Sequence, residues 1–144
     1  MNKQLITCII LSLSLIIVSS AYGQEQQEKS APETFEMVWE GQPVTMQKYF
    51  IIFLKEGPNR EQPEEEAKKI QSEHLAYLGG LFKQGVLNLN GPIGDESDIA
   101  GISVYNTATM EEAIKLAEAD PAVKAGRLVV EAHPWWLAKG SSVK

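Results

Sequence analysis

Tyr49-Phe50-Ile51-Ile52-Phe53-Leu54 is apolar at all six positions, and this run limits the possible folds more than any other feature of the chain. A strand with one face in water alternates apolar and polar residues. A strand apolar throughout needs cover on both faces. Gly57-Pro58-Asn59 breaks the run. Pro63 then fits a first helical position, and Glu64-Glu65-Glu66 suits the positive end of a helix dipole. The pattern predicts a helix from Glu64 to about Gln84, stopped by Gly85. Gly79-Gly80 weakens that helix by roughly 1 kcal/mol per glycine relative to alanine, which implies a close-packed or moving neighbour.

At about 100° per residue, Ala67, Ile70, Tyr77, Leu78 and Leu81 fall on one side of this helix, with His74 near the centre of the stripe. An imidazole placed there needs a hydrogen-bond partner or loses roughly 1–3 kcal/mol. It is also the side chain best suited to moving protons near neutral pH. Any chemistry is expected to start there.

The rest of the chain supplies a second strand from Val86 to Asn90, ended by Gly91-Pro92, and an acidic loop from Ile93 to Ala100. A third strand follows from Gly101 to Asn106. Thr109-Met110-Glu111-Glu112 is a capping box that opens a second helix, expected to end at Asp120. Asp120-Pro121 then starts a single turn that closes at Gly126. Arg127 to His133 forms the fourth strand, and Pro134-Trp135-Trp136 ends the ordered chain. The order strand, helix, strand, strand, helix, strand predicts an α+β class fold of the ferredoxin-like βαββαβ type. It has a four-stranded antiparallel sheet with both helices on one face. The second face of the apolar strand is still uncovered. The same face of a second copy, in a twofold dimer, is the favoured cover, and an N-terminal hairpin folded across it is the alternative.

Residues 1–23 read as a secretory signal peptide. Lys3 gives a positive start, Leu5 to Val18 is an apolar run of 14 residues, and small residues precede a cut after Gly23. The run is short for a membrane span. Cys8 lies too early, within the apolar run, to serve as a lipoprotein anchor. Export would leave 121 residues without cysteine and a net charge of about −7. That excludes disulfides, thiol catalysis and thiolate metal sites. It also argues against nucleic acid or anionic membrane as a partner. Residues 24–47 read as a polar leader with a short hairpin between Thr34 and Gln47, 48–138 as the compact domain, and 139–144 as tail.

Asp120 is the second unusual position. It projects between Leu116 and Ala117 on the inward side of the second helix, where the dipole disfavours an anion by ~0.3–1 kcal/mol. The N–H groups of the following turn, or a histidinium, could compensate. The two helices of this fold lie side by side, so His74 and Asp120 can meet. Such a pair fixes the imidazole tautomer and makes a proton shuttle. The competing reading is an ordinary Asp-Pro helix start and a buried histidine bonded to a carbonyl. Other candidates for a pocket are Ser103, Gly91, Tyr49 and Tyr77. Ser103 has no activating neighbour in sequence, Gly91-Pro92-Ile93-Gly94 reads chiefly as a turn, and both tyrosines are core by default. Two histidines without ligand spacing give no metal site, so no metal and no cofactor are expected.

Gln71-Ser72-Glu73-His74-Leu75, Gly91-Pro92, Ala119-Asp120-Pro121-Ala122-Val123 and Glu131-Ala132-His133-Pro134-Trp135 together resemble the YCII-related (YciI-like) family. The resemblance runs from about Lys48 to Trp136, and Asp120 to Trp136 is similar to a secreted branch of it. It implies a ferredoxin-like fold, pairing as a dimeric α/β barrel, and a His-Asp active-site pair that maps onto His74 and Asp120. It also implies kinship with muconolactone-isomerase-like proteins and with a dehydrochlorinase of chlorinated hydroxymuconates. Three functions follow as expectations. One is a periplasmic or secreted enzyme that isomerises or eliminates on a small organic acid or lactone. The second is a non-catalytic dimer that binds a small ligand. The third is an accessory protein whose His-Asp contact only stabilises helix packing.

Overall fold

The computed structural model describes residues 30–143. The expected signal peptide and the start of the polar leader lie outside the described residues. The elements in chain order are β1 (Thr34–Trp39), β2 (Gln42–Glu56), α1 (Glu64–Lys83), β3 (Leu87–Pro92), β4 (Ile99–Tyr105), α2 (Met110–Glu118), α3 (Pro121–Lys124) and β5 (Leu128–Ala138).

β2 contains the apolar run and organises the sheet. Along one edge it pairs antiparallel with β5, from Met46 opposite Ala138 to Glu56 opposite Leu128. Its other edge is shared: β1 takes Gln42 to Gln47 and β4 takes Phe50 to Lys55. β3 then pairs with β4. The core order β5-β2-β4-β3 is fully antiparallel and ferredoxin-like, and β1 extends it as a fifth strand. Glu40 and Gly41 join β1 to β2 with φ of 52° and 78°, the two positive values a tight two-residue hairpin requires.

Register sorts the side chains by face. Phe50, Ile52 and Leu54 point to the helices, where they join Ile70, Leu78, Leu81, Tyr105, Ala113 and Ala117 in one core. Tyr49, Ile51 and Phe53 point the other way, beside Val104 and Ile102. Tyr49 and Val104 are buried, whereas Ile51, Phe53 and Ile102 are only half-buried and Val129 and Trp135 are exposed. A line of ionic contacts borders this face. Lys55 lies 3.2 Å from both Asp98 and Glu131, and Glu131 lies 2.9 Å from His133.

Several boundaries differ from the sequence expectation for physical reasons. β2 begins at Gln42, well before the apolar run, because the hairpin continues the same strand. The hairpin therefore lies along the edge of the sheet and does not fold across its open face. Pro63 caps α1 from outside, and Glu64 is the first helical residue. Among the described residues, a Cβ at Gly79 or Gly80 would meet nothing within 4 Å, so no close-packed neighbour there explains them. Gly91 and Pro92 pair with Ile102 and Gly101 and end β3 instead of forming a free turn. β5 runs on through Pro134 to Ala138, which an edge strand tolerates because, among the described residues, no ladder forms on its outer side. α2 stops at Glu118, two residues early. Glu112 Oε2 accepts from the N–H of Ala108, one residue before the expected partner, while Thr109 Oγ1 accepts from the N–H of Glu112.

Two close approaches depend on glycine. A Cβ on Gly57 would lie 2.3 Å from the Gly126 carbonyl oxygen, and one on Gly101 would lie 2.9 Å from that of Gly91. The first clamps the loop after β2 onto the turn before β5. It brings Arg60 beside Arg127, whose carbonyl accepts from Arg60 Nη1 at 3.1 Å.

Candidate active site

α1 carries its buried residues at Ile70, His74, Leu78 and Leu81, one per turn along the side that meets the sheet and α3. That spacing makes His74 a core position, as the periodicity implied. Three acidic residues in the first turn and Lys83 in the last complement the helix dipole.

Asp120 reaches the same point from the opposite direction. α2 has ended, and Asp120 is the N-cap of α3, with Pro121 at the first helical position. Its carboxylate is divided between two partners. Oδ1 accepts from the N–H of Ala122 at 2.8 Å, and Oδ2 lies 2.6 Å from His74 Nδ1. Asp120 is 1 % exposed and His74 8 %. An ionised carboxylate can only accept, so the hydrogen of this bond sits on Nδ1. When the ring is neutral, Nε2 then carries a lone pair. Both compensating donors foreseen for Asp120 are present: the turn N–H and the imidazole.

The buried carboxylate also acts on two phenols. Burial pushes the Tyr77 hydroxyl above the ordinary tyrosine range, and the negative charge of Asp120 adds to the effect. Tyr105 is raised further by burial, then by Tyr77 and Asp120. The Tyr77 hydroxyl donates to the Leu116 carbonyl at 2.8 Å, which ties α1 to α2 beside the pair.

His74 lines a cavity of about 270 Å³ between α1 and the β3–β4 side of the sheet. Gln71, Leu75 and Leu78 share the helical wall. Asn90, Gly91 and Ser103 belong to the sheet, and Arg60 and Arg127 lie at the loop end. Asp120 stands behind the imidazole and does not line the space. Such an arrangement is chemically able to transfer a proton: one ring nitrogen is fixed by a carboxylate, and His74 borders a space the size of a small metabolite. Among the described residues, no three His, Cys, Asp or Glu side chains gather as a metal site would require.

The sequence-derived candidates divide accordingly. His74 and Asp120 are brought together, and Ser103 and Gly91 join His74 at the cavity. Tyr49 does not: it lies on the opposite face of the sheet, where it lines a separate space of about 290 Å³ with Leu89, Val104 and Leu137. The odd position of Tyr49 in β2 makes this unavoidable, because successive strand residues alternate faces. Tyr77 supports the helix pair and does not line the cavity. Arg60, Arg127, Gln71 and Asn90 escaped sequence reasoning. Each arginine follows a glycine turn in the sequence, but only the pairing of β2 with β5 brings those two turns together.

Comparison with known proteins identifies the family. No curated protein matches the chain at a significant level. One similar solved structure is 5-chloro-2-hydroxyhydroquinone dehydrochlorinase from Burkholderia phenoliruptrix in complex with 2,5-dihydroxybenzoquinone. It has 24% identity and a TM-score of 0.45, covering 60% of this chain and 92% of that one. That likeness is too distant to bear on activity. A YCII-related domain matches residues 49–135, which span β2 through β5 and include both His74 and Asp120. The chain belongs to the YCII-related domain family.

Proposed function

We propose that this protein is a small exported enzyme that moves a proton within, or eliminates a group from, a small organic acid or lactone bound beside His74. In this reading Nε2 of His74 takes a proton from a carbon next to a carbonyl. The imidazolium that forms is stabilised by the Asp120 carboxylate at 2.6 Å. The same proton returns to a second carbon in an isomerisation. In an elimination the electron pair forms a double bond as the leaving group departs with its electrons. Either route needs only one well-held acid–base group, typically worth about 10²–10⁴ in rate.

The observation that carries this reading is a buried, carboxylate-held imidazole bordering a cavity of about 270 Å³. A packing role alone would not need a cavity next to the ring. The half-buried Ile51, Phe53 and Ile102, with exposed Val129 and Trp135, suit a twofold partner seated on the open face of the sheet. We include that homodimer in the proposal. The catalytic claim is tested by incubating the protein with panels of unsaturated acids and lactones and following rearrangement by NMR. Turnover that His74→Gln abolishes, with ligand affinity retained, supports it. A ligand that binds and is never converted would instead make the protein a binding module.

A further inference from the structure

The cavity beside His74 has the opposite charge balance from the chain around it. The sequence holds 19 acidic and 13 basic residues. Among the described residues, the charged or titratable side chains in the cavity wall are nevertheless Arg60, Arg127 and His74, with no carboxylate. The two arginines are in different situations. Arg60 is largely exposed and lies 3.3 Å from the Glu56 carboxylate. Arg127 is half-buried, and among the described residues it forms no ion pair. Its Nη1 donates to Gln62 Oε1, a neutral acceptor, at 2.7 Å. A guanidinium offers five N–H donors in a rigid fork that matches a carboxylate. Partial burial without a counter-ion is unfavourable, and an anionic ligand would offset that cost.

From this arrangement we infer that the cavity selects an organic anion, with a carboxylate held by Arg127, Arg60 flanking it, and the reacting carbon toward His74. The inference rests on the reading of this cavity as the reaction site, and it narrows the substrate class to molecules that carry a carboxylate. A neutral lactone without one would lack its main anchor. Arg127 is then the specificity-determining residue, and His74 remains the catalytic one.

Benzoate and benzamide have nearly the same shape and differ in charge, so they probe this site without knowledge of the substrate. Binding is followed by NMR titration, with the arginine Nε–Hε resonances as reporters. Benzoate should shift the Arg127 signal and bind at least about tenfold more tightly than benzamide. Arg127→Gln should remove that preference while its thermal melt matches the parent. Arg60→Gln should weaken benzoate no more than about threefold, as suits a solvent-screened pair. Arg127→Lys keeps the charge without the fork. It should retain the preference in reduced form, and it is the deciding variant if Arg127→Gln folds poorly. His74→Gln should leave benzoate affinity in place, so loss of the proton-transfer reading and loss of the anion site give different results. Equal affinity for the two probes, no binding of either, or a tenfold preference that survives in Arg127→Gln overturns the inference.

Discussion

Asp120→Asn and Asp120→Ala separate the two tasks of one carboxylate. In the parent, Oδ1 caps α3 through Ala122 and Oδ2 holds His74 Nδ1. Asparagine keeps one oxygen for the cap and turns an amide N–H toward the ring. Nδ1 must then accept, so the ring proton moves to Nε2, which becomes a donor in place of a lone pair. Asparagine caps about as well as aspartate. The cost is therefore the exchange of a charge-assisted bond for a neutral one, about 1 kcal/mol. Alanine loses the cap, about 1 kcal/mol, and leaves buried His74 without its partner, a further ~1–3 kcal/mol. Together that is about 2–4 kcal/mol. Urea unfolding measures the stabilities, and long-range ¹H–¹⁵N correlation of the imidazole reads the tautomer. The expected result is an asparagine variant close to the parent in stability with its tautomer reversed, and an alanine variant clearly less stable. Equal losses in both variants, or an unchanged tautomer in Asp120→Asn, would refute the reasoning.

Three further outcomes follow from the packing and the charges. Gly57→Ala places a Cβ 2.3 Å from a backbone oxygen that cannot step aside; urea unfolding should show a loss of about 1–3 kcal/mol, and a neutral result would mean the loop clamp is not tight. The Tyr77 and Tyr105 hydroxyls are both raised above the unfolded value of about 10, so the folded state holds these protons more tightly. Their contribution is complete below pH ~10 and is lost as pH rises through the folded values; stability measured against pH should fall in the alkaline range, less steeply in Tyr105→Phe. Phe53→Glu puts a charge on the half-buried open face of the sheet and should convert a dimer to a folded monomer in sedimentation velocity. A parent that sediments as a monomer removes the proposed partner.

Much of the fold could be read from the sequence because its signals are local. The all-apolar run located the central strand, the capping box located α2, and Asp120-Pro121 located the start of α3. The His74–Asp120 contact was legible for a related reason: each residue broke the pattern of its own element, an imidazole in an apolar stripe and an anion at a helix end. What escaped depends on pairing between distant segments. The length of β2 is set by the partners it meets on both edges, and β5 passes Pro134 because, among the described residues, no strand pairs with its outer edge. Arg60 and Arg127 meet only because two glycine turns pack together, and no periodicity announces that. Tyr49 was misplaced because its apolar neighbours hid which face of the strand it occupies.

In the proposed reaction Nε2 of His74 exchanges a proton with a bound carbon acid. Solvent deuterium measures that step directly. The protein is incubated in D₂O with carboxylate-bearing carbon acids, and label at the carbon next to the carbonyl is counted by NMR for the parent and for His74→Gln. Enzyme-dependent labelling is expected in the parent, with a drop of about 10²–10⁴ in the variant. Labelling that proceeds at the same rate without the imidazole would contradict it.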